Sequence, residues 1–268
     1  MDGDQATRIA MGVEYDGSAF HGWQIQKDAD TIQEALEHAL TAVADHPIST
    51  RCAGRTDAGV HAVEQVVHFD TSARRTERSW VLGANVNLPA EVSVLWAHPV
   101  APDFHARFSA TARHYRYLIL RRPTRSALLR QRAVWTHYEL RIDLMRRAAE
   151  QLVGEHDFSS FRALGCQAKS PIRTIHHLQL TERKDGIIEM AIGANGFLHH
   201  MVRNIAGVLM AIGRAEAPVS WVLELLAVRD RAKGGVTAPP HGLYFVRADY
   251  PDRFALPQRA FSAATPLP

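Results

Sequence analysis

Arg8-Ile9-Ala10-Met11-Gly12-Val13-Glu14-Tyr15 sets Ile9, Met11, Val13 and Tyr15 on one side of an extended chain and Arg8, Ala10, Gly12 and Glu14 on the other. That two-residue period belongs to a strand with one buried face. Downstream, Asp16-Gly17-Ser18 opens a loop that runs to Gln26, and Thr31 with Glu34 then forms a capping box. Behind that box Ile32, Ala35, Leu36, Ala39, Leu40 and Val43 repeat at helical spacing, which predicts a helix packed on the sheet. Short strands follow at residues 48–52 and 65–69, where Gln65, Val67 and Phe69 share a face, then a helix at 77–82 and a strand at 92–96. The order is β-α-β-β-α-β, the split βαβ arrangement of ferredoxin-like domains.

The second half repeats that order without repeating the sequence. A strand at 114–120 precedes a helix whose Met145, Ala148, Ala149 and Leu152 lie on one face before Gly154. Strands at 175–180 and 187–192 flank Lys184-Asp185-Gly186, and Asp-Gly between apolar runs signals a hairpin. Leu198, Val202, Ile205, Leu209 and Ile212 form the buried stripe of a long helix that stops at Gly213, followed by a helix at 219–228 and a strand at 243–248. From Arg253 the chain is Pro/Ala-rich and reads as an ill-ordered tail. The expected organisation is an N-terminal half over 7–105, a C-terminal half over 106–250 and a tail over 251–268. Periodicity alone gives an α+β class.

At 268 residues with 46% hydrophobic content, the chain can build a substantial core. No apolar run approaches the length of a membrane span, and Met1-Asp2-Gly3-Asp4-Gln5 is acidic and polar where a signal peptide is basic and then apolar, so a cytoplasmic protein is expected. The two cysteines, Cys52 and Cys166, stand far apart in no metal or disulfide spacing. Net charge is only +3, but Arg121, Arg122, Arg125, Arg130 and Arg132 crowd one segment and Arg74, Arg75 and Arg78 another, as expected where phosphates are met. Fifteen histidines invite a metal site. The adjacent pairs His176-His177 and His199-His200 should project in different directions, and without His-Glu-x-x-His or clustered cysteine no metal is expected.

Between the strands at 48–52 and 65–69 lies Cys52-Ala53-Gly54-Arg55-Thr56-Asp57-Ala58-Gly59-Val60-His61-Ala62. Two glycines permit close backbone approach, and between them stand a cation, a hydroxyl and a carboxylate. The bland reading is a turn at Asp57-Ala58-Gly59. An aspartic-protease reading fails because that chemistry needs a second such turn, and the sequence holds none.

The segment closely resembles the signature of the TruA-type tRNA pseudouridine synthases. So do Glu14-Tyr15-Asp16-Gly17, Gly22-Trp23-Gln24, Phe104-His105-Ala106-Arg107-Phe108, Tyr115-Arg116-Tyr117, His199-His200-Met201-Val202-Arg203-Asn204 and Gly242-Leu243-Tyr244, which cover nearly the whole chain. The resemblance implies two ferredoxin-like halves in one continuous mixed or antiparallel sheet with helices on one side. It implies an isomerase that converts uridine to pseudouridine at positions thirty-eight to forty of the tRNA anticodon stem-loop. The enzyme would be a homodimer whose subunits cradle one tRNA, without cofactor. Asp57 takes the position of the catalytic aspartate. Tyr115 matches the substrate-contacting tyrosine, Arg203 the arginine that pairs with the aspartate, Arg55 a contact around the flipped nucleotide and Leu243 an apolar wall for the uracil. Arg75, Phe104, His105, Ala106, Arg107, Phe108 and the stretch Gly165, Cys166, Gln167, Ala168 and Lys169 match regions that touch tRNA. For Tyr117 a half-buried strand tyrosine is the better reading.

Two rivals remain at this stage. A nucleoside or glycoside hydrolase using Asp57 would want a second carboxyl, and near the loop only Glu64 offers one. A noncatalytic RNA-binding protein of tandem ferredoxin-like domains would leave RNA composition unchanged, and the chain lacks the aromatic pattern of an RRM.

Overall fold

The alternating stretch that opens the chain becomes β1 (Thr7–Tyr15), and its inward residues Ile9, Met11, Val13 and Tyr15 are all buried. The computed structural model describes residues 6–257. The acidic opening at 1–5 and the last part of the Pro/Ala-rich tail, 258–268, lie outside the described residues. The fold is α+β, and the described chain divides into two compact units. Residues up to Thr111, rejoined by those from Phe245 on, form the first, and Ala112–Tyr244 the second.

In the first unit β1 is followed by α1 (Ile32–Ala44), β2 (Arg51–Cys52), β3 (His61–Thr71), α2 (Glu77–Asn87) and β4 (Val92–Val100). β1 runs antiparallel between β4 and β3, and β2 adds to β3, which is the ferredoxin-like order. Thr31 caps α1 as expected, its Oγ1 accepting from the Glu34 N–H at 3.4 Å, a contact type worth about 1 kcal/mol. Trp80 of α2 packs edge to face on Phe69 of β3 with ring centroids 5.2 Å apart.

The strand expected at 48–52 shrinks to two residues. The Ile48 N–H goes to Thr41 Oγ1 and the Thr50 N–H to Glu37 Oε1, so side chains of α1 take the donors a ladder would have used. The helix expected at 77–82 instead runs on through Gly83, where a Cβ would stand 2.8 Å from Val43 Cγ2. Gly83 lets α1 and α2 approach rather than ending α2.

The second unit holds β5 (Ala112–Arg121), β6 (Val134–Thr136), α3 (Ile142–Glu150), β7 (Gly154–Asp157), β8 (Ile172–Glu182), β9 (Ile187–Ala194), α4 (Met201–Gly213) and α5 (Trp221–Val228). Its sheet order is β5-β9-β8-β7, antiparallel throughout, with β6 parallel on β5. Gly186, at φ +82°, turns the β8–β9 hairpin as read from Asp185-Gly186. β6 and β7 are additions too short to show a period. α4 begins at Met201 rather than Leu198 because His200 takes a left-handed conformation, φ 61°. Gly213 packs α4 against α3, a Cβ there meeting Met145 Sδ at 2.8 Å, while Ala215 supplies the left-handed residue at φ 58°. β10 (Leu243–Asp249) starts in the second unit and ends in the first.

The tail reading also changes. Asp252–Phe254 forms a turn of 3-10 helix, and Phe254 is buried against Phe104 at 5.0 Å between centroids. An aromatic ring offered to a core is enough to order a segment whose composition suggests otherwise. Among the described residues no helix is long and apolar enough to cross a membrane.

Across the first sheet Arg8 forks onto Asp70, with Nε and Nη2 each 2.7 Å from a carboxylate oxygen. The Arg8 hydrogen bond holds the Asp70 carboxyl below its usual range. A depressed carboxylate contributes stability that is complete above its unfolded value, about pH 4, and is lost as pH falls through the folded value. Because Asp70 is half exposed, the contribution should stay under about 1 kcal/mol. Asp70→Asn should therefore lower the melting temperature slightly at neutral pH and match wild type in strong acid; equal differences at both ends would remove the ion pair as the cause.

Candidate active site

The signature loop leaves the sheet at Cys52 and re-enters it at His61. One further rung extends the ladder, the Ala53 N–H donating to Val66 O at 2.8 Å. Beyond it the buried side-chain amide of Gln65 acts as a strand neighbour. Its Nε2 donates to Gly54 O at 2.6 Å and its Oε1 accepts from the Gly54 N–H at 3.3 Å. Burial pushes the Cys52 thiol up to about 12, so it stays a neutral packing group.

The stretches Tyr15-Asp16-Gly17 and Gly22-Trp23 close over this loop. Tyr15 Oη lies 2.8 Å from Thr56 Oγ1, and the Trp23 N–H donates to Thr56 O at 3.0 Å. Burial holds the Tyr15 phenol well above its ordinary pKa, so it remains a neutral hydroxyl. Asp16 Oδ1 stands 3.0 Å from Nδ1 of the buried His61. The Gly59 N–H donates to Phe20 O at 3.3 Å, and the Val60 N–H to Asp57 O at 3.1 Å. Two glycines make the approach possible. A Cβ on Gly17 would fall 2.0 Å from Val60 O, and one on Gly22, at φ +93°, 2.7 Å from Thr56 O. With the backbone fixed on this side, Arg55 and Ala58 face solvent and Asp57 is half-buried.

Elsewhere in the first unit the Phe104–Phe108 stretch splits in two. Phe104 and Ala106 are fully buried. Phe104 packs on Tyr250 and Phe254, while Ala106 donates its N–H to His68 Nδ1 and accepts from Tyr250 Oη. His105 is half-buried, its Nδ1 accepting from the N–H groups of Arg107 and Phe108. Arg107 and Phe108 reach the surface, the Phe108 ring lying 4.4 Å from that of His105. Burial pushes the His68 imidazole down to about 4, with His105 adding to the shift, so His68 is a neutral acceptor. Arg75 is exposed, its Nε donating to Val43 O near the end of α1.

In the second unit Tyr115 lies on β5 with Phe197 edge-on at 5.0 Å. Tyr117 is fully buried, its hydroxyl donating to Pro239 O at 2.8 Å; burial holds its pKa above the ordinary value, with Arg203 opposing. Arg203 lies in the first turn of α4 and its Nε donates to Ala238 O at 2.8 Å. The segment that carries Ala238 is itself held by Asn204. Buried and one residue along, Asn204 donates to Phe161 O at 2.7 Å and accepts from Arg231 and Thr237. Leu243 is buried at the start of β10. Residues 165–169 form a surface loop, with Gly165, Gln167 and Lys169 exposed and Cys166 and Ala168 half-buried. The left-handed His200 brings the His199 and His200 rings to 4.0 Å, where adjacent side chains were expected to diverge.

The arginine-rich segment is not uniform. Arg121 pairs with Glu182 and Glu139, and Arg122, exposed, folds back on its own loop to donate to the carbonyls of Thr124 and Arg125. Arg125 and Arg130 are exposed. The sequence reading singled out no role for Gln65 or Asn204. Both act on main-chain atoms far along the chain, although Asn204 stood inside a stretch already singled out.

Residues 11–109 and 148–251 match the tRNA pseudouridine synthase family. Over 251 residues the chain is 60% identical to tRNA pseudouridine synthase A of Nitrosococcus oceani, covering 94% of this chain and 96% of the relative. It is 58% identical over 253 residues to the protein of that name from Methylococcus capsulatus, covering 94% and 93%. With the Pseudomonas aeruginosa protein of that name the identity is 56% over 254 residues, covering 94% and 89%.

Gly22→Ala tests the fit over the loop. A left-handed backbone and a Cβ 2.7 Å from Thr56 O should together cost about 2 kcal/mol or more, read as a fall in melting temperature. Gly165→Ala, with nothing within 4 Å of the new methyl, is the control. Equal melting temperatures for the two variants would refute the tight contact.

Proposed function

The chain belongs to the tRNA pseudouridine synthase family and is an isomerase, and from that premise we propose that it converts uridine to pseudouridine at positions thirty-eight to forty of the tRNA anticodon arm, with Asp57 as its catalytic carboxylate. The observation that carries this reading is the signature loop, braced by Tyr15, Gly17, Gly22, Trp23 and Gln65 so that its polar face is Arg55 and Asp57.

The reaction breaks the bond between uracil N1 and ribose C1′, turns the base over and joins C1′ to C5. The C5 proton leaves and N1 gains one, so no atom is gained or lost and neither redox cofactor nor activated donor is needed. An ionised carboxylate serves as nucleophile on C1′ or as base for a ribose proton. By the family resemblance Arg203 is the arginine that partners that carboxylate. Its Nε bond to Ala238 O directs the guanidinium. Tyr115, braced by Phe197, offers its ring to an extruded uracil and its hydroxyl to proton transfer at C5. Leu243 is the apolar wall, and Arg55 meets the RNA around the flipped nucleotide. Arg75, His105, Arg107, Phe108 and residues 165–169 contact the tRNA beyond the reacting base. Phe104 and Ala106 are buried, which suits holding that surface in place. The same reading makes the protein a cytoplasmic homodimer holding one tRNA.

Nucleoside analysis of unmodified tRNA incubated with the pure protein tests the activity. Pseudouridine in the anticodon arm is expected. Free uracil would indicate a hydrolase, and unchanged RNA a binding module. Asp57→Asn should abolish pseudouridine formation and leave tRNA affinity within about threefold, since a neutral isostere keeps the loop's shape. Near wild-type turnover in that variant would take Asp57 out of the mechanism.

Arg203→Ala and Arg125→Ala should fail differently. Removing a charge from the reaction centre lowers turnover even at saturating tRNA, by about a hundredfold or more. Removing a phosphate contact weakens binding and flattens its salt dependence by roughly 0.7 to 0.9 in log–log slope. An Arg203→Ala enzyme that recovers full turnover on adding tRNA would make Arg203 a binding residue instead.

A further inference from the structure

β3 carries a buried imidazole to which the reaction assigns no part. Phe69 packs on Trp80 of α2, and the alternation of a strand puts its neighbour His68 on the opposite face of the sheet. His68 is 4% exposed, and its Nδ1 accepts the Ala106 N–H at 3.2 Å. Burial pushes its pKa down to about 4, with His105, Arg8 and Arg51 adding to the shift and Asp70 opposing it. The Nδ1 lone pair is therefore free of a proton at neutral pH and can serve as a standing acceptor.

A buried histidine with one satisfied nitrogen is ordinarily a core residue, but the partner of this one is the root of a surface turn. The next two amides, of Arg107 and Phe108, go to Nδ1 of His105 at 3.1 and 3.3 Å. Three consecutive main-chain donors are thus held by two imidazole nitrogens, and the two rings lie 4.6 Å apart between centroids. Ser109 closes the turn, its Oγ accepting the His105 N–H at 2.9 Å and its own N–H donating to His105 O at 2.8 Å. Tyr250 Oη donates to Ala106 O at 2.6 Å. Every N–H from His105 to Ser109 is engaged, and what leaves the turn is a pair of side chains: Phe108, 75% exposed, and Arg107, whose guanidinium lies 5.5 Å from the Phe108 ring centre. An apolar side chain in place of His68 would leave the buried Ala106 N–H without its acceptor. The turn would then have to be ordered when RNA binds, at a cost in affinity.

We propose that His68 is a positioning residue for RNA binding: from beneath the surface, through the Ala106 amide, it sets the conformation in which the turn holds Arg107 and Phe108 out to the tRNA. The inference rests on the reading above that this turn meets tRNA. His68 acts on affinity and not on the chemical step, so its loss is relieved by raising tRNA concentration.

Binding of unmodified tRNA to the full-length protein, with turnover at saturating tRNA, tests it. His68→Leu should raise Kd about tenfold, the size of one orphaned buried donor, and leave saturated turnover within about twofold of wild type. His68→Asn, whose Oδ1 takes the place of Nδ1, should bind within about threefold of wild type. Should His68→Leu fail to fold, His68→Gln, which stays polar but moves the acceptor one bond outward, carries the test and should lose affinity as the Leu variant does. In a Phe108→Ala background the His68→Leu change should add less than it does alone, because both act through one turn. Wild-type affinity in the folded Leu and Gln variants would overturn the proposal, as would an Asn variant as weak as the Leu one, or full additivity with Phe108→Ala. Nitrogen NMR of the His68 imidazole at neutral pH should show Nδ1 without a proton; a proton there would refute the contact whatever the protein does with tRNA. A wild-type protein that binds no tRNA would instead remove the underlying reading of function and this inference with it.

Discussion

The Thr56 carbonyl is the point on which the shape of the signature loop depends. It accepts from the Trp23 N–H while the backbone of Gly22 passes so close that no side chain fits between. The loop is held by its main chain and by the Thr56 hydroxyl on Tyr15, and along it Arg55 is exposed and Asp57 half-buried. A backbone fixed in this way holds its side chains in place without their having to be ordered first. The resembling stretches near the N-terminus gain a physical meaning as the other half of the contact.

The second unit uses a polar hub in the same way. Asn204 is buried and satisfied by Phe161, Arg231 and Thr237, which fixes the segment leading to Ala238. The Ala238 carbonyl in turn takes Nε of Arg203. The backbone of Gly207 lies against the carbonyl of Val236, a Cβ there falling 1.9 Å away, so the segment and α4 share one fixed spacing. A buried amide bonded through both its oxygen and its nitrogen is rigid and unforgiving of substitution.

Much of this was legible in the sequence, and the parts that were not share a cause. β1, the Thr31 cap and the Asp185-Gly186 hairpin are local events, written in neighbouring residues. The shortening of β2 depends on Glu37 and Thr41 reaching across from α1, and the continuation of α2 through Gly83 depends on Val43. The left-handed turn at His200 has no glycine or asparagine to announce it. At the site, the signature loop stood out because polar groups and glycines interrupt apolar strands. Gln65 and Asn204 did not, since their partners are peptide groups 11 and 43 residues away. Phe104 and Ala106 read as surface positions because they alternate with residues that reach the surface, and only burial separates them.

The division of the chain has a consequence for the order in which it becomes structured. The first unit is not finished at Thr111. Phe104 rests on Tyr250 and Phe254, Thr111 donates to Asp249 O, and Tyr250 closes over Ala106. During synthesis these partners arrive only after all of the second unit has been made. The signature loop, built entirely from residues before 70, can settle early, while the aromatic seam around Phe104 stays exposed until the chain returns. The early-made half therefore spends most of translation with its signature loop assembled and one hydrophobic edge uncovered, and the final strand acts as a latch whose late arrival completes it.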